Sequence, residues 1–597
     1  MNIIGLHGAL ATTADSNWFN PVWDNPIMVE SYPVTSELPD TDKSLHMDSI
    51  HDAGCTLFVD GKHIRSVDEE RLTRKKYEGR FPSSAIDYCL GDLSREDIDI
   101  VCFAPSGAEE CNKQLINNTA SRFLREHFPN AKIWLVGHHL CHAAGAVFTS
   151  PFNSGSFLTL DGIGSSMWNF NMGNVPQGEH NSIGYFDKDK RLFRFFRMPS
   201  WGGFSGTNAF GQFYGPISLH IQTDIYSDEP KKTLEDFLNS EGKVMGLSAY
   251  GKDIAYDWPE YCTDNSRPYA ASPKDALDIF QIDRYEMGLP YINFHPGQGV
   301  VWNLLASKIS PADKAYFVQK HYEEALFYLI KELRDDEYLT EDVCFAGGCF
   351  LNISANDKLR PLFNNIHIPP NTNDSGVHFG AAAWAAYRCK EEIQVPHNIA
   401  LLGKSYNDKE IEKAIGFNDL KNIGEFKYTK YKDFDELCEV VAKYLEDDKI
   451  VGWFQGRSES GPRALGSRSL LMSPHKEENK DIMNKRVKHR EYWRPFAGIT
   501  LEGSGYESSP YMLFNHKVLT DDIPAITHVD GTCRMQTVDD ELNPKMCSLL
   551  RKLKNPILLN TSFNDNKEPI VESPEDAVNA FKKMDIDYLV IGDYVIS

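Results

Sequence analysis

Three histidines fall within five positions of "VGHHLCHAA" (136–144), and an aspartate follows at the end of "FLTLDGIG" (157–164). His138 and His142 stand at i and i+4, so on a helix they share a face and can grip one ion, while His139 points about 100° away. Asp161 ends an apolar strand pattern, where ligand sites of α/β proteins gather. "NTNDSGVHFGAAAWAAY" (371–387) adds Asp374, just before a small-residue helix that could pack against the first. Imidazole plus carboxylate suits a divalent first-row metal, iron or zinc, better than calcium. A single histidine is more often an ordinary hydrogen-bonded residue; the spaced pair with two carboxylates is what points to metal.

Two glycine turns, "LDGIGSS" (160–166) and "FAGGCFLN" (345–352), each follow a strand, and the backbone N–H groups of such turns suit phosphate. Neither matches Walker A or the dinucleotide fingerprint. In the second half, "QGRSESGPRALGSRSLL" (455–471) carries Arg457, Arg463 and Arg468, "RPFAG" adds Arg494, "HVDGTCRMQTV" adds Arg534, and "LLNTSFNDNKEPI" ends with Asn560, Thr561 and Ser562. Guanidinium and hydroxyl groups at strand ends are what a phosphate- or carboxylate-bearing ligand needs. A further basic run, Lys485, Arg486, Lys488, Arg490 and Arg494, reads either as a solvated helix face or as part of the same anion site.

The elements that must hold these groups follow the hydrophobic pattern. Strands are expected at 1–10, on both sides of the Asp60–Gly61 turn, and at 98–103, 132–136, 156–160 and 342–345. Helices are expected to open at "HHLCHAAGAVF" and over 311–333 and 376–389. These make an α/β domain over 1–395, with an irregular polar insertion at 11–48. After the linker "EEIQVPHNIALLGKSYND", the amphipathic helix and strand of "DFDELCEVVAKYLEDDKIVGWFQG" begin a second α/β domain, 396–597, with later strands at 496–501 and 557–560.

The 597 residues are 41% hydrophobic and 12% aromatic, enough for sizeable cores. No apolar run approaches the roughly 20 residues a membrane helix needs, so no membrane partner is expected. The N-terminus lacks the basic region of a signal peptide. Twelve scattered cysteines include no C-x-x-C pair, and a reducing cytoplasm is expected. The net charge of −23 speaks against a nucleic-acid partner, which needs a basic footprint, without excluding small anions at local basic clusters.

Taken in order, "HHLCHAA", "LDGIGSS", "EGKVMGLSAYG", "FAGGCFLN", "ESGPRALGSRSLL", "WRPFAG", "HVDGTCRMQTV" and "NTSFNDNKEPIV" resemble the O-carbamoyltransferases of natural-product and nodulation-factor biosynthesis over almost the whole chain. The resemblance implies an N-terminal Kae1-like domain of the actin/sugar-kinase/Hsp70 fold, followed by a YrdC-like α/β domain. It implies that ATP, with Mg2+, and carbamoyl phosphate give carbamoyl adenylate in the second domain, and that the first transfers the carbamoyl group to a small-molecule hydroxyl. By motif, His138, His142, Asp161 and Asp374 match iron ligands. Gly347, Gly348 and Asn352 match an adenosine-contacting turn, and Glu241 and Lys243 a loop near the adenylate. Arg457, Lys485, Arg494, Arg534, Asn560 and Ser562 match positions holding ATP and carbamoyl phosphate, with Arg486 and Lys488 as rivals to Lys485. His51 and Asp52 keep a "His-Asp" turn assigned to catalysis, and "DEERLTRKK" (68–76) follows it. The 11–48 insertion departs from the family pattern and is expected to shape acceptor choice.

Three other readings compete. A fused enzyme of tRNA threonylcarbamoyladenosine synthesis shares both folds, but the acidic chain opposes it. A hydrogenase-maturation carbamoyltransferase would carry zinc-finger cysteine pairs. An idle nucleotide-binding regulator would not need intact metal and arginine sets. The Lys-, Asn- and Ile-rich composition suggests a cyanobacterial or similar source, and the acidic charge suits a cationic acceptor such as a saxitoxin-type alkaloid. A homodimer is the assembly to test.

Overall fold

The computed structural model describes residues 1–8, 29–30, 51–104, 123–162, 166–167, 177–199, 210–226, 240–253, 281–284, 290–293, 308–416 and 427–597. Apart from Val29–Glu30, the 11–48 insertion lies outside them, as does the 163–165 part of "LDGIGSS". The chain divides into two compact units, Met1–Ile64 with Tyr77–Gln394, and Arg65–Lys76 with Val395–Ser597.

In the first unit the apolar N-terminal residues form β1 (Asn2–His7), buried from Ile3 onward. It pairs antiparallel with β2 (Gly54–Val59), which turns through Asp60 (φ 49°) and Gly61 (φ 76°) into β3 (Lys62–Asp68). Two successive positive φ values make the tight turn whose twist matches a hairpin, as the Asp-Gly pair predicts. On its other side β1 pairs parallel with β4 (Ile100–Ala104), and β4 with β5 (Lys132–Leu135); Val29–Glu30 closes that edge. A second sheet repeats the plan. Its centre is β6 (Ser154–Leu160), antiparallel to the Gln177–Asp187 and Leu192–Pro199 hairpin, and parallel to β7 (Asp342–Ala346), which adjoins Asn365–His367. Two copies of a sheet with antiparallel strands on one flank and parallel strands on the other form the doubled α/β plan expected of the actin/sugar-kinase/Hsp70 class.

The helix α1 (His138–Thr149) packs on the second sheet, and α3 (Val377–Arg388) packs on the first and on α1. Between them in sequence, α2 (Pro311–Asp335) starts with Pro311 at its first turn, and Ser310 Oγ accepts from the Asp313 N–H at 3.1 Å. The helices α1 and α3 touch backbone to backbone at Gly380, where an added Cβ would lie 1.8 Å from the Cys141 carbonyl oxygen. The Ala/Gly-rich composition of "GAAAWAA" permits this approach, and it brings the N-terminal ends of the two helices together.

The second unit is built on one mixed nine-stranded sheet. Its order is Tyr428–Lys430, Tyr594–Ile596, Tyr588–Ile591, β8 (Val451–Phe454), β9 (Arg468–Met472), β12 (Ile557–Ser562), β10 (Ala497–Leu501), β11 (Thr532–Val538) and His516–Lys517. The helix α4 (Phe434–Glu446) covers one face, where Leu437, Val441 and Leu445 join Trp453, Leu471 and Leu558. Phe454, Leu470, Met472 and Leu559 face the opposite core with Phe581. This alternation along β8 and β9 explains why the strands read as continuous apolar runs. Among the described residues no helix is long and apolar enough to cross a membrane.

Candidate metal centre and anion site

The N-terminal turn of α1 carries His138 and His142, the end of β6 carries Asp161, and the turn before α3 carries Asp374. One ligand atom from each lies within 4.8 Å of all the others, and all four residues are buried. The two Nε2 atoms are 3.1 Å apart. His138 Nε2 is 3.2 Å from both Asp161 Oδ2 and Asp374 Oδ1, and His142 Nε2 is 3.7 and 3.4 Å from the same oxygens. Metal–ligand bonds of about 2.1 Å separate neighbouring donors by about 3.0 Å in an octahedron and about 3.4 Å in a tetrahedron. The residues therefore fit a divalent ion. His139, as expected, faces elsewhere, its Nδ1 3.3 Å from Ser182 Oγ.

Burial opposes a charge on His138, but Asp374 and Asp161 outweigh it and raise its pKa to about 10. Burial likewise opposes charge on Asp161 and Asp374, yet the histidines hold both below the usual carboxylate range. Two buried carboxylates that favour positive charge beside them suit a divalent cation as well.

The glycine turn after β7 completes this site. Gly348 N–H donates to Asp161 Oδ1 at 2.8 Å. Gly347 has φ +99°, and a Cβ there would sit 2.0 Å from the Leu160 carbonyl oxygen, so no other residue fits. Asn352 serves the turn itself: its Oδ1 accepts from Gln319 Nε2 at 2.9 Å and Ala355 N–H at 3.1 Å, and its Nδ2 donates to Gln319 Oε1 at 3.1 Å. His51 and Asp52 pair at 3.1 Å, and Asn373 Nδ2 donates to Asp52 Oδ2 at 2.8 Å. Desolvation opposes charge on His51, but Asp52, with Asp374 and Asp161 beyond it, raises its pKa to about 9. Burial raises the pKa of Glu241, and the charge of His51 partly offsets this. Lys243 lies half-buried with Nζ 5.8 Å from the Tyr226 ring centroid.

In the second unit, Arg490 and Arg534 are drawn beside Arg463 and Arg494, and burial followed by these neighbours pushes both guanidinium pKa values below their usual range. Among the described residues Arg534 Nε is buried without a hydrogen-bond partner, as is Asn560 Oδ1. Asn560 Nδ2 donates to Gln536 Oε1 at 3.2 Å. Lys485 is exposed, and the lysine that meets Ser562 is its rival Lys488, buried, with Nζ 3.2 Å from Ser562 Oγ, 2.9 Å from Asn564 Oδ1 and 2.7 Å from the Asn564 carbonyl. Arg486 instead pairs with Asp585 and Asp587. The reason for this choice is local. The helix ending at Met483 widens into a π-helical turn over Asn484–Lys488, closed by His489 at φ 45°, and the extra residue shifts which side chain faces inward.

Two of the arginines read from the motif make hydrogen bonds to nearby backbone carbonyls. Arg457 Nε donates to the Gly403 carbonyl at 2.6 Å and its Nη2 to Leu402 at 2.9 Å. Arg468 is fully buried, donates to the Gln455 carbonyl at 2.9 Å, and lies 3.6 Å from the Phe454 ring centroid. The sequence reading did not single out Glu459, whose Oε1 accepts from the N–H groups of Leu465, Ser467 and Arg468 at 2.9, 2.7 and 3.0 Å. Those donors are spent on folding the loop, so an anion there meets side chains and not a backbone nest. A carboxylate six to nine residues ahead of the turn N–H groups it caps, inside a Gly/Ser-rich stretch, was the available signal.

The family model described as "Carbamoyltransferase N-terminus" matches residues 44–135 and 109–383, and "Carbamoyltransferase C-terminus" matches 442–597. The chain is 30% identical to the uncharacterized protein sll1178 of Synechocystis sp., over 92% of this chain and 95% of that one. It is 29% identical to the nodulation protein NolNO of Sinorhizobium fredii, over 92% of this chain and 79% of that one. Among solved structures it is similar to HypF of T. kodakarensis, at 16% identity and a TM-score of 0.31, over 57% of this chain and 47% of that one. With both family models matched in order, and with relatives aligned over nearly its whole length, the chain belongs to the carbamoyltransferase family and is an enzyme of that class.

Proposed function

We propose that the protein is an ATP-dependent O-carbamoyltransferase that activates the carbamoyl group in its second unit and transfers it in its first. Carbamoyl phosphate and water give carbamate and phosphate; a carbamate oxygen then attacks the α-phosphorus of ATP, displacing pyrophosphate and leaving carbamoyl adenylate. The acceptor hydroxyl attacks the carbonyl carbon, AMP departs, and the hydroxyl proton is lost. Carbamate is a poor electrophile, and adenylation gives it a good leaving group.

Lys488, Arg463, Arg490, Arg494 and Arg534 are the groups that would neutralise the phosphates as charge moves. Their gathering in a chain of net charge −23 supports an anionic ligand over a solvated basic face. In the first unit, His138, His142, Asp161 and Asp374 would hold iron, with zinc the alternative. Such an ion supplies Lewis acidity toward a carbamoyl or hydroxyl oxygen. His51, whose charged form Asp52 favours, can donate a hydrogen bond to the departing phosphate.

The observation that carries this reading is the division of labour between an imidazole–carboxylate cluster in one unit and an ammonium–guanidinium cluster in the other. The acceptor proposed is a small, polar, cationic alcohol, of which a saxitoxin-type alkaloid is one instance. ATP–pyrophosphate exchange that requires carbamoyl phosphate and proceeds without acceptor is the test, and its absence overturns the reading. Mass spectrometry of candidate alcohols, seeking the gain of one carbamoyl group, then identifies the acceptor.

A further inference from the structure

The segment Arg65–Lys76 lies early in the chain yet packs as part of the second unit. Within it, Arg71 is 2% exposed. Its Nη2 donates to the Gly461 carbonyl at 2.8 Å. Its Nε and Nη1 are buried and have no hydrogen-bond partner among the described residues. Among the described residues the carboxylate paired with it, Glu70, has Oε1 3.8 Å from Nε, beyond hydrogen-bonding distance. A guanidinium carries five N–H donors and keeps its charge, so enclosing it with one edge unpaired is costed in several kcal/mol. A buried charged donor left that way calls for an explanation, and an arriving anion supplies one.

Its surroundings indicate the kind of partner. Gly461 is two residues from Arg463, which neighbours Arg490 and Arg534. The same segment sends Lys76 Nζ to the Asn566 carbonyl at 3.2 Å, two residues beyond the Asn564 that receives Lys488. The segment thus reaches both loops that carry the anion site, the one after β8 and the one after β12. A doubly charged tetrahedral oxyanion is the ligand that a planar fork with adjacent free donors on two nitrogens takes best.

We propose that Arg71 is a ligand for a substrate phosphoryl group in the second unit, so that a residue encoded ahead of most of the first unit completes the activation site. The proposal rests on the two-step reading above for the identity of that phosphoryl group, which belongs to carbamoyl phosphate or to ATP. If Arg71 served only to tether Gly461, one donor would suffice, and a neutral side chain with an N–H could replace it.

The test compares the full-length protein with Arg71→Gln, which keeps a donor for Gly461 but removes the charge, and with Arg71→Lys. Pyrophosphate exchange is measured against carbamoyl phosphate and against ATP, and inorganic phosphate is titrated in thermal melts. Arg71→Gln is expected to raise KM for one of the two substrates by about tenfold, the worth of one charge-assisted hydrogen bond, and to abolish stabilisation by phosphate. Arg71→Lys should restore part of both. Which KM rises tells carbamoyl phosphate from ATP. Unchanged KM values for both, with phosphate still stabilising Arg71→Gln, overturn the proposal even if the ligand-free melting temperature drops. If the unaltered protein shows no exchange, the two-step reading fails, while phosphate stabilisation lost in Arg71→Gln still decides whether Arg71 binds the anion.

Discussion

The backbone N–H of Gly348 donates to Oδ1 of Asp161 at 2.8 Å, so the glycine turn after one strand orients a metal-site carboxylate at the end of its neighbour. A Cβ at Gly348 would stand 3.0 Å from that oxygen. Gly348→Ala should therefore push Asp161 aside and weaken metal binding by about tenfold, the usual range for a lost outer contact to a ligand. Metal content by mass spectrometry after dialysis against a weak chelator measures it. Full retention would mean that the turn does not orient Asp161.

Asp374→Asn and His138→Ala each break the buried ligand set. Metal affinity should fall at least about 100-fold, and carbamoyl transfer with it, while pyrophosphate exchange in the second unit persists. Loss of both partial reactions together would contradict separate sites.

Lys488→Met should lower pyrophosphate exchange about 100-fold, as removal of a charge-stabilising donor does, whereas Lys485→Met, at an exposed position, should leave it within about twofold. Equal effects, or the reverse order, would assign Lys485 to the site.

Burial, then Arg490 and Arg494, holds the Lys488 pKa below its unfolded value of 10.5. A bound phosphate favours the charged lysine and raises that pKa, so the complex binds more protons than the free protein. Carbamoyl phosphate affinity should accordingly weaken as pH rises toward 10.5, with proton uptake on binding. Calorimetry in buffers of different ionisation enthalpy reads that uptake, which Lys488→Met should remove.

Glu459→Ala leaves three buried N–H groups without an acceptor and should destabilise the second unit by about 3 kcal/mol or more, by urea unfolding. Glu459→Gln keeps an accepting oxygen and should lose about 1 kcal/mol. Equal losses would show that the charge, and not the acceptor geometry, folds the loop.

Most of the metal centre could be read from residue spacing. Helical periodicity put His138 and His142 on one face and His139 off it, and the strand pattern placed Asp161 at a strand end, because these are local consequences of 3.6- and 2-residue repeats. The strands at 100–104, 132–135, 154–160 and 342–346 and the helix at 311–335 were legible for the same reason. The burial of Lys488 beside Ser562 while Lys485 stays exposed was not, since a single π-helical turn changes which side chain faces inward without leaving a mark in the hydrophobic pattern. Nor were the hydrogen bonds of Arg457 and Asn352 to Gly403 and Gln319, which lie far away in sequence. Local sequence determined the elements and the residue types available for chemistry. Only the tertiary structure decided which of those residues meet: the Gly380–Cys141 helix contact sets how closely α1 and α3 approach, and Arg65–Lys76 packs with residues that follow it by more than 300 positions.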